Sequence, residues 1–421
     1  MKNKEEKYKQ WLKTHSLPRP SVEQLQWLEM EIGMFAHIGV NTYNNKEWSD
    51  GSLDPECFNP KKLDCNQWVK VAKDLGAKYY ILSAKHHDGF CLWPTNTTDY
   101  SIKNTPFKNG KGDLIEEFIS ACHKGGIKPG LYLSPWDRHE PCYADKDAYD
   151  KFYLEQLEEL LTWYKWEPVE IWFDGAGSKG RKYDWHSIMN LVEKHAPHAI
   201  IFNMGIPTIR WCGNEKGYAP YPNWYVVNKS DIFDYTFDKG ETDGLGDYFL
   251  PCECDTPIRR FLWFYHTFSR IFLRSKKKLI DIYENSVGKG ANLLLNLAPN
   301  RDGLLNPADA KRARWLGEEI KKRYGKPLAQ KSGIGDELII NLPENTKIHS
   351  TIIQEDIKFG QRVRQYELQY KDGQNWAVLV NGSSIGHKKI DRFRPVKTNK
   401  IRLKITQWLK EPKIKNFSVF E

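Results

Sequence analysis

The feature that most constrains the fold is an alternation sustained over the first 325 residues, in which short apolar, β-rich runs are separated by longer amphipathic stretches. Candidate strands occupy residues 34–42 (MFAHIGVNT), 77–83 (AKYYILS), 127–134 (IKPGLYLS), 169–174 (VEIWFD), 199–203 (AIIFN) and 291–297 (ANLLLNL). Helix-like segments lie between them at 65–75, 113–123 and 147–164. In the last, Phe152, Leu154, Leu157, Leu160 and Leu161 form an apolar stripe at helical spacing. Strand–helix units repeated over this length predict an α/β fold, a (β/α)8-like, TIM-type barrel rather than a doubly wound sheet. No GxGxxG follows the first strand, so the dinucleotide-fold signature is missing.

Polar residues cluster at the ends of these runs. His37 to Asn41 lie inside the first, His86-His87-Asp88 follow the second, Trp136-Asp137-Arg138 follow the third, and Asp174 closes the fourth. In a parallel barrel the C-terminal strand ends all open on one face, the face that carries the active site.

After Lys326-Pro327 the texture changes. Alternating runs appear at 337–341, 347–353, 364–370, 375–380, 400–406 and 417–420, with turns expected at Asp372-Gly373 and Asn381-Gly382. This pattern predicts a C-terminal antiparallel β-sandwich, and hence a catalytic barrel over 1–327 followed by a sandwich over 328–421. Most of the net charge of +9 belongs to the second part, which holds 17 Lys/Arg against 10 Asp/Glu. It contains no long basic run and no nucleic-acid-binding motif, so a hydrated face is expected rather than a nucleic-acid partner.

The eight Cys form no CxxC pair, which argues for buried reduced thiols rather than a zinc ribbon, thioredoxin-type site or disulfide framework. The N-terminus has no apolar h-region and no stretch approaches 18 apolar residues. No membrane span or standard export signal is therefore expected: the chain as written is cytoplasmic, or secreted or periplasmic if a signal was removed.

Asp174 is the leading catalytic candidate. EIWFDGAG places a carboxylate at the end of a strongly apolar strand, where burial is costly unless the group is paired or used. An Asx turn or helix N-cap is the structural alternative. Glu215, in the Gly-rich RWCGNEKG, lies 41 residues on, about one strand–helix unit. A retaining glycosidase needs two such carboxyls ~5–5.5 Å apart, one as nucleophile and one as acid/base. Glu253 in PCECD is the competing acid/base candidate, and Glu47 in KEWSDG is a candidate for binding a hydroxyl.

His37, His86 and His87 could ligate a metal, but no HExxH or comparable spacing is present, and adjacent His86 and His87 would point apart in an extended chain. Hydrogen bonding to sugar hydroxyls accounts for imidazoles among aromatics equally well. Trp48, Trp93, Trp136 and Trp172 are candidates for stacking, with core packing as the alternative for each.

Taken in order, FAHIGVNTY, EWSDG, AKHHDGFCLWPTNTTDYSIKNTP, GLYLSPWDRH, EIWFDGAG, RWCGNEKG and GANLLLNLAPNRDGLL resemble the α-L-fucosidases of glycoside hydrolase family 29 over residues 25 to 305. SPWDRH and RWCGNE are similar to the subgroup that removes α-1,3- and α-1,4-linked fucose from branched, Lewis-type glycans. Residues 374–385 with GHKKIDRF also resemble a discoidin-like module. The resemblance implies an exo-acting, retaining, double-displacement hydrolase of fucosylated oligosaccharides or glycoconjugates, without metal or organic cofactor. Asp174 matches the nucleophile and Glu215 the acid/base of that subgroup. His37, His86 and His87 match residues that grip fucose hydroxyls, Trp48 and Trp172 fall at aromatic positions near the sugar, and Arg210 matches a basic residue before the acid/base. Tyr132 lies in YLS where the family usually has YYS, and EWSDG stands where EWGxG is commoner. A small apolar patch including Trp211 or Phe233 is expected for the fucose methyl group. The alternatives are a broader α-L-fucosidase acting on α-1,2 or aryl fucosides, and a non-catalytic fucose-binding protein on the same barrel.

Overall fold

The computed structural model describes residues 2–232 and 240–421. Its first part is built from eight short parallel strands: β1 (Ile32–Ala36), β2 (Tyr79–Lys85), β3 (Lys128–Leu133), β4 (Glu170–Trp172), β5 (Ile200–Phe202) and β6 (Arg210–Trp211), then β9 (Cys252–Pro257) and β10 (Asn292–Asn296). Between the sixth and seventh of these, β7 (Val226–Val227) and β8 (Tyr248–Phe249) form a small antiparallel ribbon. The strand order β5-β4-β3-β2-β1-β10-β9-β6 is parallel throughout, and a bridge between Phe202 and Ile209 brings the last strand back beside the first. The strands are buried almost end to end, as expected for a parallel sheet covered on both faces.

The helices are α1 (Lys2–Trp11), α2 (Val22–Met30), α3 (Val40–Asn44), α4 (Cys65–Leu75), α5 (Leu114–Gly125), α6 (Lys146–Thr162), α7 (Trp185–His195), α8 (Lys276–Asn285) and α9 (Pro307–Tyr324). Their limits are written locally. Asp64 and Asp113 cap the starts of α4 and α5 through their side chains, and Gly76 and Gly126 end them in the left-handed conformation. In α6, Leu157, Leu160 and Leu161 are buried, while Phe152 and Leu154 are only partly so, because Tyr149, Tyr153 and Gln156 share the inward face. Among the described residues, no helix is long and apolar enough to cross a membrane.

Two expectations for the barrel need correction. The first strand stops at Ala36, and the expected β residues 40–42 begin α3 instead. β6 and β9 were not expected, since one is two residues long and the other reads CECDTP.

The C-terminal part is antiparallel, with β11 (Ala329–Ile334), β12 (Glu337–Glu355), β13 (Val363–Asp372), β14 (Asn375–Gly382), β15 (Lys389–Trp408) and β16 (Lys413–Phe420) in the order β11-β16-β12-β15-β13-β14. β12 and β15 are long enough to serve two layers. The start of β12 pairs with the end of β15 beside β13, whereas the end of β12 pairs with the start of β15 and with β16. Leu338, Leu368, Leu403, Phe417 and Val419 from both layers share one core. The separate runs expected at 337–341 and 347–353 are thus one strand with register shifts. The hairpin at Asp372-Gly373 forms, but Asn381 and Gly382 remain in β14, paired with Glu367 and Tyr366, so no turn lies there.

Candidate active site

At the C-terminal ends of the barrel strands lies a cavity of about 200 Å³. That is below the ~300–1,000 Å³ usual for drug-sized ligands, so it suits one small ring rather than an oligomer. Every barrel strand except β2 and β10 sends a lining side chain; His86 and His87 follow β2 directly, and β10 contributes one layer behind, with Asn296 Oδ1 2.9 Å from His37 Nδ1.

Asp174 and Glu215 both line this cavity. Asp174 lies two residues beyond β4. Its Oδ2 accepts from the Tyr132 hydroxyl at 3.0 Å and its Oδ1 from the Ala176 amide at 2.9 Å. Turn and cavity roles therefore coexist in one side chain. Glu215 follows β6 on a loop pinned by the Thr256 hydroxyl, which donates to the Glu215 carbonyl at 2.8 Å. Burial pushes the Glu215 carboxyl above its ordinary range; the Trp263 indole N–H pulls it down, and the Asp174 charge pushes it up again.

His37, His86 and His87 also line the cavity. Residues 86 and 87 lie in a turn rather than an extended strand, so both rings face the same space, with centroids 4.2 Å apart. Burial lowers the basicity of all three: His37 falls to about 4, His86 well below the ordinary imidazole range, and His87 by less because Asp174 opposes the shift. The tautomers of His37 and His87 follow from their partners. Asn296 Nδ2 donates to the Trp263 carbonyl, so its Oδ1 takes the His37 Nδ1 proton. The Ser134 hydroxyl gives its one hydrogen to the Trp136 carbonyl, so it accepts from His87 Nδ1 at 2.7 Å. The His37 and His87 rings are thus left with Nε2 as an acceptor, and that of His87 lies 3.6 Å from Asp174 Oδ2.

One wall is apolar. Trp172 stacks on Phe202 with centroids 3.7 Å apart and meets Phe35 edge-on at 5.2 Å. Trp211 and the half-exposed Trp48 also line the cavity. Phe233 lies outside the described residues.

Several expected side chains are elsewhere. Arg210 alternates with Trp211 along β6, so Trp211 faces the cavity while the Arg210 guanidinium is buried on the other side, donating to the carbonyls of Gly240 and Trp224 and to Asn223 Oδ1. Trp136 stands behind the lining, packed on Trp48 and His87 at 5.5 and 5.1 Å. It fits only because residue 177 is glycine: a Cβ there would meet the indole at 2.0 Å. Glu47 is also behind the lining. It accepts from the Trp263 and Phe264 amides and faces His266 Nε2 at 2.5 Å, and burial raises its carboxyl to about 7. Trp93 is core, donating to Glu159 at 2.8 Å. Glu253 is sealed in the barrel interior below the cavity, with Tyr79 and Trp172 donating to its two oxygens at 2.5 and 2.9 Å.

The cavity also holds residues that sequence reasoning missed: Asn203, Trp263 and a third carboxyl, Asp255. Asp255 Oδ1 accepts from Trp211 Nε1 at 2.6 Å, and burial raises its carboxyl well above the ordinary range, helped by the Glu215 charge. Alternation within CECDTP was the available signal, since Glu253 and Asp255 must share a face if the segment is a strand.

Residues 53–325 match the family described as Alpha-L-fucosidase, and residues 312–418 match the F5/8 type C domain. The chain is 36% identical to Alpha-L-fucosidase 1 of Arabidopsis thaliana over 96% of its own length and 88% of that protein. Among solved structures, it is similar to a glycoside hydrolase 29 family member from an unknown rumen bacterium, with a TM-score of 0.90 and 36% identity over 96% of this chain and 77% of that one. A Ruminococcus gnavus GH29 fucosidase in complex with fucose is similar at a TM-score of 0.86 and 30% identity, over 97% and 96% of the two chains.

Proposed function

Since this chain belongs to the α-L-fucosidase family of glycoside hydrolases, we propose that it is an exo-acting, retaining enzyme that removes α-1,3- and α-1,4-linked L-fucose from branched, Lewis-type glycans by double displacement. The observation that carries this reading is that Asp174 and Glu215 reach one small cavity, the first from the end of β4 and the second from the loop after β6. Residues 1–327 are assigned to catalysis and 328–421 to the attached sheet module.

In the first step Asp174, steadied by Tyr132 and the Ala176 amide, attacks the anomeric carbon as positive charge develops there. Glu215 gives its proton to the departing oxygen. The burial and the Asp174 charge that raise its carboxyl favour the protonated form that can donate. Ester formation then removes the Asp174 charge, so Glu215 becomes a weaker acid-holder at the moment it must accept a proton from water. The Nε2 atoms of His37 and His87 receive fucose hydroxyls, with the His86 ring beside them, and the Phe35–Trp172–Phe202 wall receives its methyl group.

The test is product analysis. Proton NMR of the first-formed sugar should show α-L-fucose, and the β anomer appearing first would overturn retention. A Lewis-type trisaccharide should be turned over with higher kcat/KM than a linear α-1,2-fucoside; equal values would overturn the linkage assignment and favour the broader fucosidase.

A further inference from the structure

Between β9 and α8 the chain makes an excursion over residues 258–275 at the barrel's catalytic face. Its neck is closed by hydrogen bonds from the Arg260 amide to the Phe272 carbonyl at 2.9 Å and from the Arg274 amide to the Ile258 carbonyl at 3.0 Å. Inside the loop, Arg259 reaches Asp309 at 2.8 Å and Ser269 Oγ at 2.6 Å. Asn45 accepts from the Thr267 amide at 2.8 Å, and Glu47 holds the Trp263 and Phe264 amides. The inward side of the loop belongs to the active site, because Trp263 lines the cavity and Phe264 packs on His37 and His86.

Its outward side is unusual. Phe261, Phe268 and Ile271 are 68%, 92% and 85% exposed, three large apolar groups within eleven residues. Phe261 and Phe268 also adopt φ values of 72° and 62°, a region that bulky side chains disfavour and that glycine occupies freely. Core packing does not account for side chains that face water, and backbone sterics oppose them. Strain held by so many surrounding bonds is characteristic of positions retained for contact with a ligand.

We infer that this loop is the platform for the saccharide attached to the fucose through the scissile bond, with Phe268 and Phe261 offering their faces, and Ile271 its edge, to sugar C–H groups. The inference rests on the proposed glycan-hydrolysing reading of the cavity. That cavity has room for one ring, so the rest of the substrate lies outside it, and the loop is continuous with the cavity wall through Trp263. Its attachments to Asn45 and Glu47 also place it beside Trp48, which is 52% exposed and lines the same cavity. Rigid aromatic faces suit a sugar's alternating apolar and polar faces at little ordering cost.

The experiment compares two substrates that share fucose, namely α-L-fucosyl fluoride, which has no sugar aglycone, and whichever fucosylated oligosaccharide the wild type hydrolyses best. Phe268→Ala is expected to lower kcat/KM for the oligosaccharide about tenfold, mainly through KM, and to leave the fluoride within about twofold. Phe268→Gly should show the same split while raising Tm, because it removes the strained φ; a purely structural role would not separate the substrates. Unchanged oligosaccharide kinetics in Phe268→Ala and Phe261→Ala, or equal losses on both substrates, would overturn the inference. So would a wild-type dimer in sedimentation that Phe268→Ala dissolves, since the occupant would then be a second copy. The linkage assignment fails separately, if the best oligosaccharide proves to be α-1,2-linked. Turnover of the fluoride with no oligosaccharide hydrolysed would sink the platform and the glycan reading together.

Discussion

Two polar regions lie one above the other in the barrel, and they treat the same chemical group in opposite ways. In the upper one, at the strand ends, Asp174, Glu215 and Asp255 line open space. In the lower one, Glu170 and Glu253 are fully buried, Trp27 donates to Glu170 at 2.9 Å, and Tyr79 and Trp172 donate to Glu253 at 2.5 and 2.9 Å. Burial raises the carboxyls of both Glu170 and Glu253, and the Glu253 charge further opposes ionisation of Glu170. Donors of the fold occupy three of the four carboxyl oxygens in the lower layer, whereas the upper layer keeps acceptors facing open space for something that enters. A raised carboxyl is therefore no mark of catalysis by itself; access to the cavity separates Glu215 from Glu253.

The largest effect that could break this comparison is on Asp174. Asp174→Ala should lower kcat by at least about 10⁴-fold with the fold intact by circular dichroism; ordinary turnover would remove the upper layer's claim. Next in size, Glu215→Ala should lose roughly 10²–10⁴-fold on substrates with poor leaving groups. Added azide should restore activity and give fucosyl azide of retained, α configuration. The same rescue in Glu253→Ala, but not in Glu215→Ala, would exchange the roles of the two layers.

A smaller effect sharpens the upper layer alone. The Trp263 indole stabilises ionised Glu215, so Trp263→Phe should raise the Glu215 pKa further. The protonated form then persists to higher pH, and the alkaline limb of kcat/KM should move upward by about one unit or less. A downward movement would contradict the contact.

The smallest effect belongs to the lower layer. Glu253 has a raised pKa in the fold, so the folded protein binds its proton more tightly than the unfolded chain does. Its contribution is present below the ordinary carboxylate range and is lost as pH rises through the raised value. Glu253→Gln cannot ionise, so the fall in Tm between pH 5 and pH 8 should shrink by a few degrees, on the order of 1–3 kcal/mol. Calorimetry that finds the same slope in both proteins would show that Glu253 does not titrate with folding.

Much of the upper layer was legible in the sequence because its residues follow strongly apolar runs. YYILSAK leads into His86 and His87, and EIWF into Asp174. What escaped had no such flag. β6 is too short to show a period, and β9 spells CECDTP, a strand whose inner face is acidic because it faces one polar layer and then the other. Asp255 was hidden for that reason. Arg210 was misplaced because motif resemblance carries no information about which way a side chain turns, and one step of alternation put Trp211 inward in its stead. In the C-terminal part, Asn381-Gly382 looked like a turn, yet the pairing of β14 with β13 runs through it.

The bridge from Phe202 to Ile209 closes the barrel between β5 and β6, and it is the thinnest seam in the wall. The strand that carries Asp174 lies on one side of that seam and the segment that carries Glu215 on the other. The spacing of these two carboxyls therefore crosses a join of one bridge and a few backbone hydrogen bonds, from the Asn203 amide to the Ile209 carbonyl at 3.0 Å and from the Ile209 amide to the Ile201 carbonyl at 3.1 Å. A barrel closed by so short a join can alter that spacing through the turn from Asn203 to Thr208, leaving the longer ladders of the wall as they stand.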